Sequence, residues 1–189
     1  QEGSERVARA LRPDPHGLFL RVDLDGQGRV ADADLCAVAL VAAPRSAITR
    51  AMTMMRQCED LITMVARCID SGRGIRYQGR WIDFTKPWVR MTVEQAFEKY
   101  APEPLETALR NGNFDEIIAC EIAPNLGCVK PVFLYDYPAA LGSLARLKPV
   151  EKSVAERFEL YIAGIEICNA FSELTDSDEQ RRRFEAEMR

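Results

Sequence analysis

Two adjacent strands and a tight turn are encoded by residues 157–174, which read RFELYIAGIEICNAFSEL. Apolar residues alternate with polar ones on both sides of a two-residue turn at 163–164. Such a turn pairs Tyr161 with Glu166 and places Glu159 and Glu166 diagonally on one face, where diagonal neighbours lie roughly 7–8 Å apart. Because an unpaired carboxylate in a strand is costly, the two acids predict a shared divalent cation, with Mg²⁺ holding the phosphates of a nucleotide as the natural candidate.

A second group of polar residues follows on the same strand. Asn169, Phe171 and Glu173 recur at period two, so they share a face and predict a pocket with an amide, an apolar wall and a carboxylate, which suits an ammonium group. Strict alternation places Glu166 on the opposite face from Asn169, so a common site requires an irregularity such as a β-bulge between them. The alternative is an edge hairpin whose acids are solvated or paired with nearby cations. Those cations are Arg157 and Lys152.

Composition predicts one medium-sized globular domain, with or without a short appendage. Of the 189 residues, 47% are hydrophobic, and 25 Lys and Arg stand against 29 Asp and Glu. This acidic balance lacks the basic surface that nucleic-acid backbones require, so it argues against DNA and disfavours tRNA as partners. The apolar run at 35–43 is far shorter than the ~20 residues of a membrane span, and residues 1–5 lack a secretory signal. We therefore expect a cytoplasmic protein without a membrane partner.

The cysteines predict reduced thiols that behave as small hydrophobic residues, because none forms a C-x-x-C pair and several fall in apolar stretches. They are Cys36, Cys58, Cys68, Cys120, Cys128 and Cys168.

Residues 1–45 differ in composition from residues 46–189, and we predict a domain boundary near Pro44. Two apolar runs flank the Gly-rich segment 25–28, which indicates a hairpin. An alternative is a calcium loop of the EF-hand type, although its fifth and twelfth positions are atypical and prolines precede it. Its ligand positions would be Asp23, Asp25, Gln27, Gly28, Val30 and Asp34.

Residues 46–189 predict a mixed α+β fold in which an antiparallel sheet is flanked by helices. Apolar residues at helical spacing predict a long helix from Ser46 to about Ser71, and Thr92 with Gln95 forms a capping box that opens another. The other predicted elements are a hairpin over 75–84, an extended piece at 88–91, short helices over 104–110 and 114–123, a strand over 131–135 that ends at 136–138, and a final helix over 176–189 with Phe184 and Met188 facing inward.

Several ordered blocks of the chain closely resemble class II lysyl-tRNA synthetases. These blocks are residues 157–160, 164–174 and 178–184. Residues 131–139 and 143–146 look more like the stand-alone paralogues that attach lysine or β-lysine to elongation factor P. The resemblance extends from about Met54 to Arg189 and implies a partial class II synthetase-like catalytic core over 46–189.

The resemblance implies roles for five residues. Glu159 and Glu166 would bind Mg²⁺ and ATP, Asn169 and Glu173 would hold the amino acid, and Phe171 would pack on its methylene groups. In this family the amino-acid carboxylate attacks the α-phosphate of ATP, and catalysis depends on positioning and charge neutralisation. No catalytic nucleophile is needed, and none is evident in the sequence.

The sequence also departs from the family pattern. It contains neither the Pro-ending first motif, which builds the family's dimer interface, nor the Phe-Arg-x-Glu second motif, nor the Gly-rich third motif with its arginine. Without these arginines, we expect weak or no adenylation by the chain as written, and we assign no catalytic residue. Residues 1–45 are too short for the anticodon-binding barrel of a tRNA synthetase, which favours a protein acceptor over tRNA.

Two functional hypotheses follow. The first is a truncated or impaired ligase that activates lysine or an analogue with ATP for transfer to elongation factor P, with a homodimer left open. The second is a non-catalytic synthetase-like module that binds a basic amino acid or a partner protein. Mg²⁺-dependent ATP binding separates them.

Overall fold

The structure, a computed structural model, describes residues 38–39, 47–69, 73–142 and 144–188. The strands are β1 (Val38–Ala39), β2 (Gly74–Tyr77), β3 (Arg80–Asp83), β4 (Val89–Thr92), β5 (Val132–Pro138), β6 (Val154–Ile162) and β7 (Ile165–Phe171). The helices are α1 (Ala47–Ile69), α2 (Val93–Tyr100), α3 (Leu105–Asn111), α4 (Phe114–Ile117) and α5 (Ser177–Glu187), with a π turn at Ile118–Ile122 and 3-10 turns at Ala123–Asn125 and Ala139–Leu141.

A five-stranded sheet of order β1-β7-β6-β5-β4 forms the centre of the fold. Its three inner strands are antiparallel, whereas the outer strands β1 and β4 run parallel to their neighbours. Strands β2 and β3 form a separate antiparallel hairpin. The predicted α+β class, an antiparallel sheet flanked by helices, is therefore confirmed.

Both predicted tight turns are present. Gln78 and Gly79 join β2 to β3 with φ angles of 45° and 78°, and Ala163 and Gly164 join β6 to β7 with φ angles of 56° and 80°. Positive φ at both central residues is the signature of the type I′ turn, whose twist matches that of antiparallel strands. The turn over 163–164 fixes the register of the hairpin at its closed end.

Helix α1 packs against one face of the sheet. Its Cys58 Sγ lies 4.0 Å from Cys168 Sγ on β7, and its Glu59 carboxylate lies 2.9 Å from the guanidinium of Arg90 on β4. The apolar side chains on this face of the sheet include Phe133, whose ring centroid lies 5.5 Å from that of Phe158. The contacts join the N-terminal part of the described chain to its C-terminal hairpin.

The opposite face is covered by α2, α3, α4 and the π turn. The capping box at Thr92 and Gln95 is present, because each side chain bonds to the other residue's backbone N–H. The buried residues of this core are Val93, Ala96, Phe97, Ala108, Phe114, Ile117, Ile122, Leu126, Val132, Leu134, Tyr137 and Tyr161. Helices therefore cover both faces of the sheet. A site on the sheet would have to lie on the part of the second face that these helices leave uncovered.

Three expectations need correction. Strand β5 does not stop before Asp136: that residue adopts φ 63°, the pairing shifts between Tyr135 and Tyr137, and the strand continues to Pro138. The helix expected over 114–123 becomes a π turn after Ile117. The inward orientation of Phe184 and Met188 is wrong, because the two residues are 48% and 79% exposed.

The N-terminal predictions fall mostly outside the described residues. The hairpin around residues 25–28 and the alternative calcium loop both lie there, while Val38 and Ala39 pair in parallel with Cys168 and Asn169. Of the five described cysteines, Cys58 and Cys168 are buried, as expected of small hydrophobic residues. The expectation is wrong for Cys68 and Cys120, which are exposed. Among the described helices, none has the length and apolar content of a bilayer-crossing segment.

Candidate functional site

A β-bulge in β7 determines which side chains share the candidate site. Tyr161 pairs with Glu166, but the next pair is Leu160 with Cys168, so Ile167 is an extra residue on β7. The register beyond the bulge pairs Glu159 with Asn169. Because directly opposed residues in an antiparallel pair point to the same side, Glu166 and Asn169 lie on one face of the sheet, as a common site requires.

The Glu159 carboxylate lies at the centre of this face and is buried, with 4% of the residue exposed. Its Oε1 accepts hydrogen bonds from Arg157 Nη2 at 2.6 Å and from Asn169 Nδ2 at 3.3 Å. Its Oε2 accepts one from Tyr161 Oη at 2.6 Å. These donors keep a buried negative charge in place, and the Arg157 guanidinium balances it.

Arg157 connects the carboxylate to strand β5. Its guanidinium carbon lies 4.5 Å from the centroid of the Tyr137 ring, a cation–π distance, and its Nη1 donates to the Leu141 carbonyl at 3.2 Å. Arg157 is therefore held from three sides and orients Glu159 in turn. The predicted alternative of an edge hairpin is wrong, because β6 and β7 are inner strands of the sheet. Its pairing of an acid with Arg157 is nevertheless found for Glu159.

Three buried polar atoms around Glu159 have no hydrogen-bond partner within the described part of the chain. They are Tyr137 Oη, Arg157 Nε and Asn169 Oδ1. Burial, followed by the negative charge of Glu159, raises the pKa of both Tyr137 and Tyr161, so both hydroxyls keep their protons. Since buried polar groups are normally satisfied, unpaired donors and an acceptor on one face are suited to a polar ligand.

Glu166 lies on the same face but is exposed. Partial burial of its carboxyl, together with the charge of Glu159, raises the pKa of Glu166, while the Asn169 amide and Arg157 act in the opposite direction. A bound cation would offset this unfavourable effect on the Glu166 carboxylate.

The number and type of the carboxylates limit which metal ion this face could hold. Among the described residues, no cluster of three or more His, Cys, Asp or Glu could hold a metal ion by itself. Mg²⁺ is usually bound through one or two carboxylates plus substrate phosphates and water, so Glu159 and Glu166 meet its needs only when phosphates complete the coordination.

Phe171 and Glu173 extend this face toward the end of β7. Phe171 pairs with Arg157 and is half-buried, as Asn169 is. Glu173 lies beyond the strand, is exposed, and forms an isolated bridge with Ala145. The structure therefore brings Glu159, Glu166 and Asn169 together, with Phe171 beside them, and leaves Glu173 at the open end.

Two contributors to the site are not predicted from the sequence. Tyr137 is not predicted because Asp136 and Pro138 are residues typical of the end of a strand. Tyr161 is not predicted because a single tyrosine at an alternating strand position is typical of a hydrophobic core. A signal for Tyr161 exists, since it lies two positions after Glu159 in the strand and therefore on the same face.

A groove of about 760 Å³ beside α2 and α3 is lined by none of the predicted site residues.

Comparison with known proteins identifies the family to which most of the chain is similar. A family model described as tRNA synthetases class II (D, K and N) matches residues 45–189. A lysine–tRNA ligase of Moorella thermoacetica is 35% identical over 156 residues, which cover 71% of this chain and 32% of the relative. One from Prochlorococcus marinus is 35% identical over 164 residues, covering 75% and 32%.

A relative of a different kind is also similar. The elongation factor P–(R)-β-lysine ligase of Pectobacterium atrosepticum is 37% identical over 145 residues, which cover 72% of this chain and 43% of that protein. The chain spans about a third of the length of the lysine–tRNA ligases that it matches.

Proposed function

Because the chain belongs to the class II tRNA synthetase family of the D, K and N type, we propose that it binds a lysine-like amino acid together with ATP and Mg²⁺. The proposed activity is ATP-dependent activation of lysine or an analogue for transfer to a protein acceptor of the elongation factor P type, impaired in these 189 residues because the arginines of the second and third family motifs are absent from them. Residues 46–189 would form the synthetase-like core, and Val38 and Ala39 of the preceding segment add a short strand to its sheet.

One observation carries the proposal: the bulge at Ile167 brings Glu166 and Asn169 to the face that holds Glu159. Without it, the two halves of the predicted site would face opposite sides of the sheet. Glu159 and Glu166 would hold the Mg²⁺, which supplies positive charge at the phosphates when bound. The orientation of Glu159 by Arg157 and Tyr161 would keep that carboxylate in one position.

Asn169, Phe171 and Glu173 would bind the amino acid. The free Asn169 Oδ1 is a buried acceptor suited to an ammonium group, and Phe171 offers an apolar surface for methylene groups. Glu173 would provide the counter-charge for the side-chain ammonium. Its exposure at the end of β7 leaves room for a ligand to approach.

A protein acceptor is supported by two facts. One is the identity to the elongation factor P–(R)-β-lysine ligase, and the other is the net charge of −4, which does not favour an RNA backbone. The 189 residues contain no Phe-Arg-x-Glu motif, so we assign no catalytic residue.

A second candidate is a non-catalytic module that binds a basic amino acid or a partner protein. It is favoured by the hydrogen bonding of Glu159, because both of its oxygens already accept bonds from protein donors. In that case Glu159 would stabilise the hairpin and would not bind metal.

Calorimetric titration with L-lysine tests the amino-acid site. We expect lysine and β-lysine to bind and norleucine, which lacks the side-chain ammonium, not to bind. Glu173→Gln should weaken lysine binding about 10–100-fold, since it removes one charge-assisted interaction worth roughly 1.5–3 kcal/mol.

Glu116→Gln is the matched control, because Glu116 is an exposed carboxylate on α4, and it should bind lysine normally. Unchanged affinity in Glu173→Gln would remove the assignment of Glu173. Lysine binding by a chain that does not bind ATP with Mg²⁺ would favour the non-catalytic module.

A further inference from the structure

Two buried cysteines face each other across the layer between α1 and the sheet. Cys58 on α1 and Cys168 on β7 lie 110 positions apart in the sequence, and their sulfur atoms are 4.0 Å apart. The two residues are 2% and 3% exposed, whereas Cys68 and Cys120 are exposed. Neither thiol has a role in the proposed binding of lysine or ATP.

The distance between the two sulfur atoms is the observation that points to a covalent bond. A disulfide has a sulfur–sulfur distance of about 2.05 Å, so the sulfurs must approach by roughly 2 Å. A sulfur atom moves over such a distance when its side chain turns about the Cα–Cβ bond, with small backbone adjustments. Because both thiols are buried, a small uncharged oxidant reaches them more readily than a bulky one.

We propose that Cys58 and Cys168 form a reversible oxidation site, in which a peroxide converts the two thiols to a disulfide that links α1 to β7. In the first step, peroxide oxidises one thiol to a sulfenic acid and a water molecule leaves. In the second step, the other sulfur attacks the sulfenic sulfur: the S–S bond forms, the S–O bond breaks, and a second water leaves. The two thiols lose two electrons and two protons in total, and the peroxide is reduced to water.

The bond would join segments that are distant in the chain. Cys168 directly precedes Asn169, so the cross-link fixes the strand of the candidate site to the helix behind it. Closing so long a loop restricts the unfolded chain, and a disulfide of this kind typically raises Tm by roughly 5–15 °C in a protein of this size. Dithiothreitol should reverse the rise.

Peptide mapping of the full chain after hydrogen peroxide treatment tests the proposal directly. Trypsin places Cys58 in the peptide 57–67 and Cys168 in the peptide 158–181. We expect these two peptides to be joined under non-reducing conditions and separated by dithiothreitol. Because the mapping uses the unmutated chain, it does not depend on the folding of a variant.

Two variants of the same helix supply the control. Cys58→Ala should lose both the cross-link and the peroxide-dependent rise in Tm, whereas Cys68→Ala, which removes an exposed thiol on α1, should keep both. The proposal is overturned if the two peptides stay separate at a peroxide dose that oxidises Cys68. It is also overturned if Cys58 or Cys168 only gains oxygen without cross-linking. Neither result bears on lysine or ATP binding.

Discussion

At the scale of single residues, Glu159 connects the stability of the hairpin to its proposed chemistry. The carboxylate is buried and accepts hydrogen bonds from Arg157, Tyr161 and Asn169. Burying a charge is costly unless it is paired, so these bonds stabilise the folded hairpin whether or not a metal binds. Oε2 accepts a hydrogen bond from Tyr161, and a carboxylate oxygen accommodates about two such interactions.

Replacing Arg157 by Met should destabilise the protein by about 2–4 kcal/mol, because it leaves the buried Glu159 charge without its counter-ion. Chemical denaturation measures this change. In the double variant Arg157→Met/Glu159→Gln, part of the loss should be recovered, since the neutral amide does not need a cation. Additive effects of the two substitutions would contradict the pairing.

The raised pKa of Glu166 predicts a pH-dependent effect on stability. The folded state binds the Glu166 proton more tightly than the unfolded state, so this carboxyl lowers stability as the pH rises above its ordinary pKa of 4.5. Glu166→Gln should therefore raise Tm at pH 7, by roughly 1–2 °C. The difference should disappear below about pH 4.5. Equal Tm values for the two proteins across the whole pH range would contradict the assignment.

At the scale of elements, the β6–β7 hairpin shows what the sequence could predict. Its turn, the pairing of Tyr161 with Glu166 and the need for a bulge all follow from the spacing of residues 157–174. The position of the extra residue at Ile167 does not follow from this spacing, because a bulge of one residue fits at several places in an apolar run.

Strand β5 shows the limit of local signals. Asp136 and Pro138 are turn residues in most contexts, yet here Asp136 adopts a positive φ and its carboxylate pairs with Lys148 at 2.5 Å. Lys148 lies twelve positions later in the chain. Beyond Asp136 the strand continues by pairing Tyr137 with Ala155 on β6, so the placement of Tyr137 depends on tertiary packing.

The loop before β5 supports the hairpin turn, and this support can be tested. Ala163 N–H donates to the Gly127 carbonyl at 3.0 Å, and Gly164 N–H donates to that of Leu126 at 2.8 Å. A Cβ atom on Gly127 would lie 2.5 Å from the Tyr161 carbonyl oxygen, and its φ is +73°. Gly127→Ala should therefore destabilise the protein by about 2–4 kcal/mol in chemical denaturation.

Gly112 provides the matched control. Its φ is +72°, nearly that of Gly127, but apart from its chain neighbours no atom of the described residues lies within 4 Å of the position that a Cβ atom would take there. Gly112→Ala should lower the free energy of unfolding by only about 1 kcal/mol, the cost of placing an L-residue at a positive φ. If the two substitutions destabilise the protein equally, the close approach of residues 127 and 161 is wrong.

At the scale of the whole molecule, the α+β class and most element positions were predictable because helical and strand periodicities are strong in residues 46–171. The orientation of α5 was not. Phe184 and Met188 have helical spacing with few other apolar neighbours, and spacing alone cannot tell whether anything packs against them.

The candidate site could be predicted only in part for a related reason. The acids and the amide occur within a single hairpin, so the sequence alone brings them together. The groups that orient them, such as Tyr137, come from another strand, and their position depends on the register between β5 and β6.

The central claim is that Glu159 and Glu166 act together to hold Mg²⁺ with ATP, and calorimetric titration of ATP in the presence and absence of Mg²⁺ tests it most directly. We predict binding by the unmutated chain with Mg²⁺ only, its loss in Glu166→Ala, and its retention in Glu173→Gln, whose lysine binding is weakened. ATP binding that is independent of Mg²⁺, or that survives in Glu166→Ala, would contradict the claim, as would the absence of ATP binding by the unmutated chain.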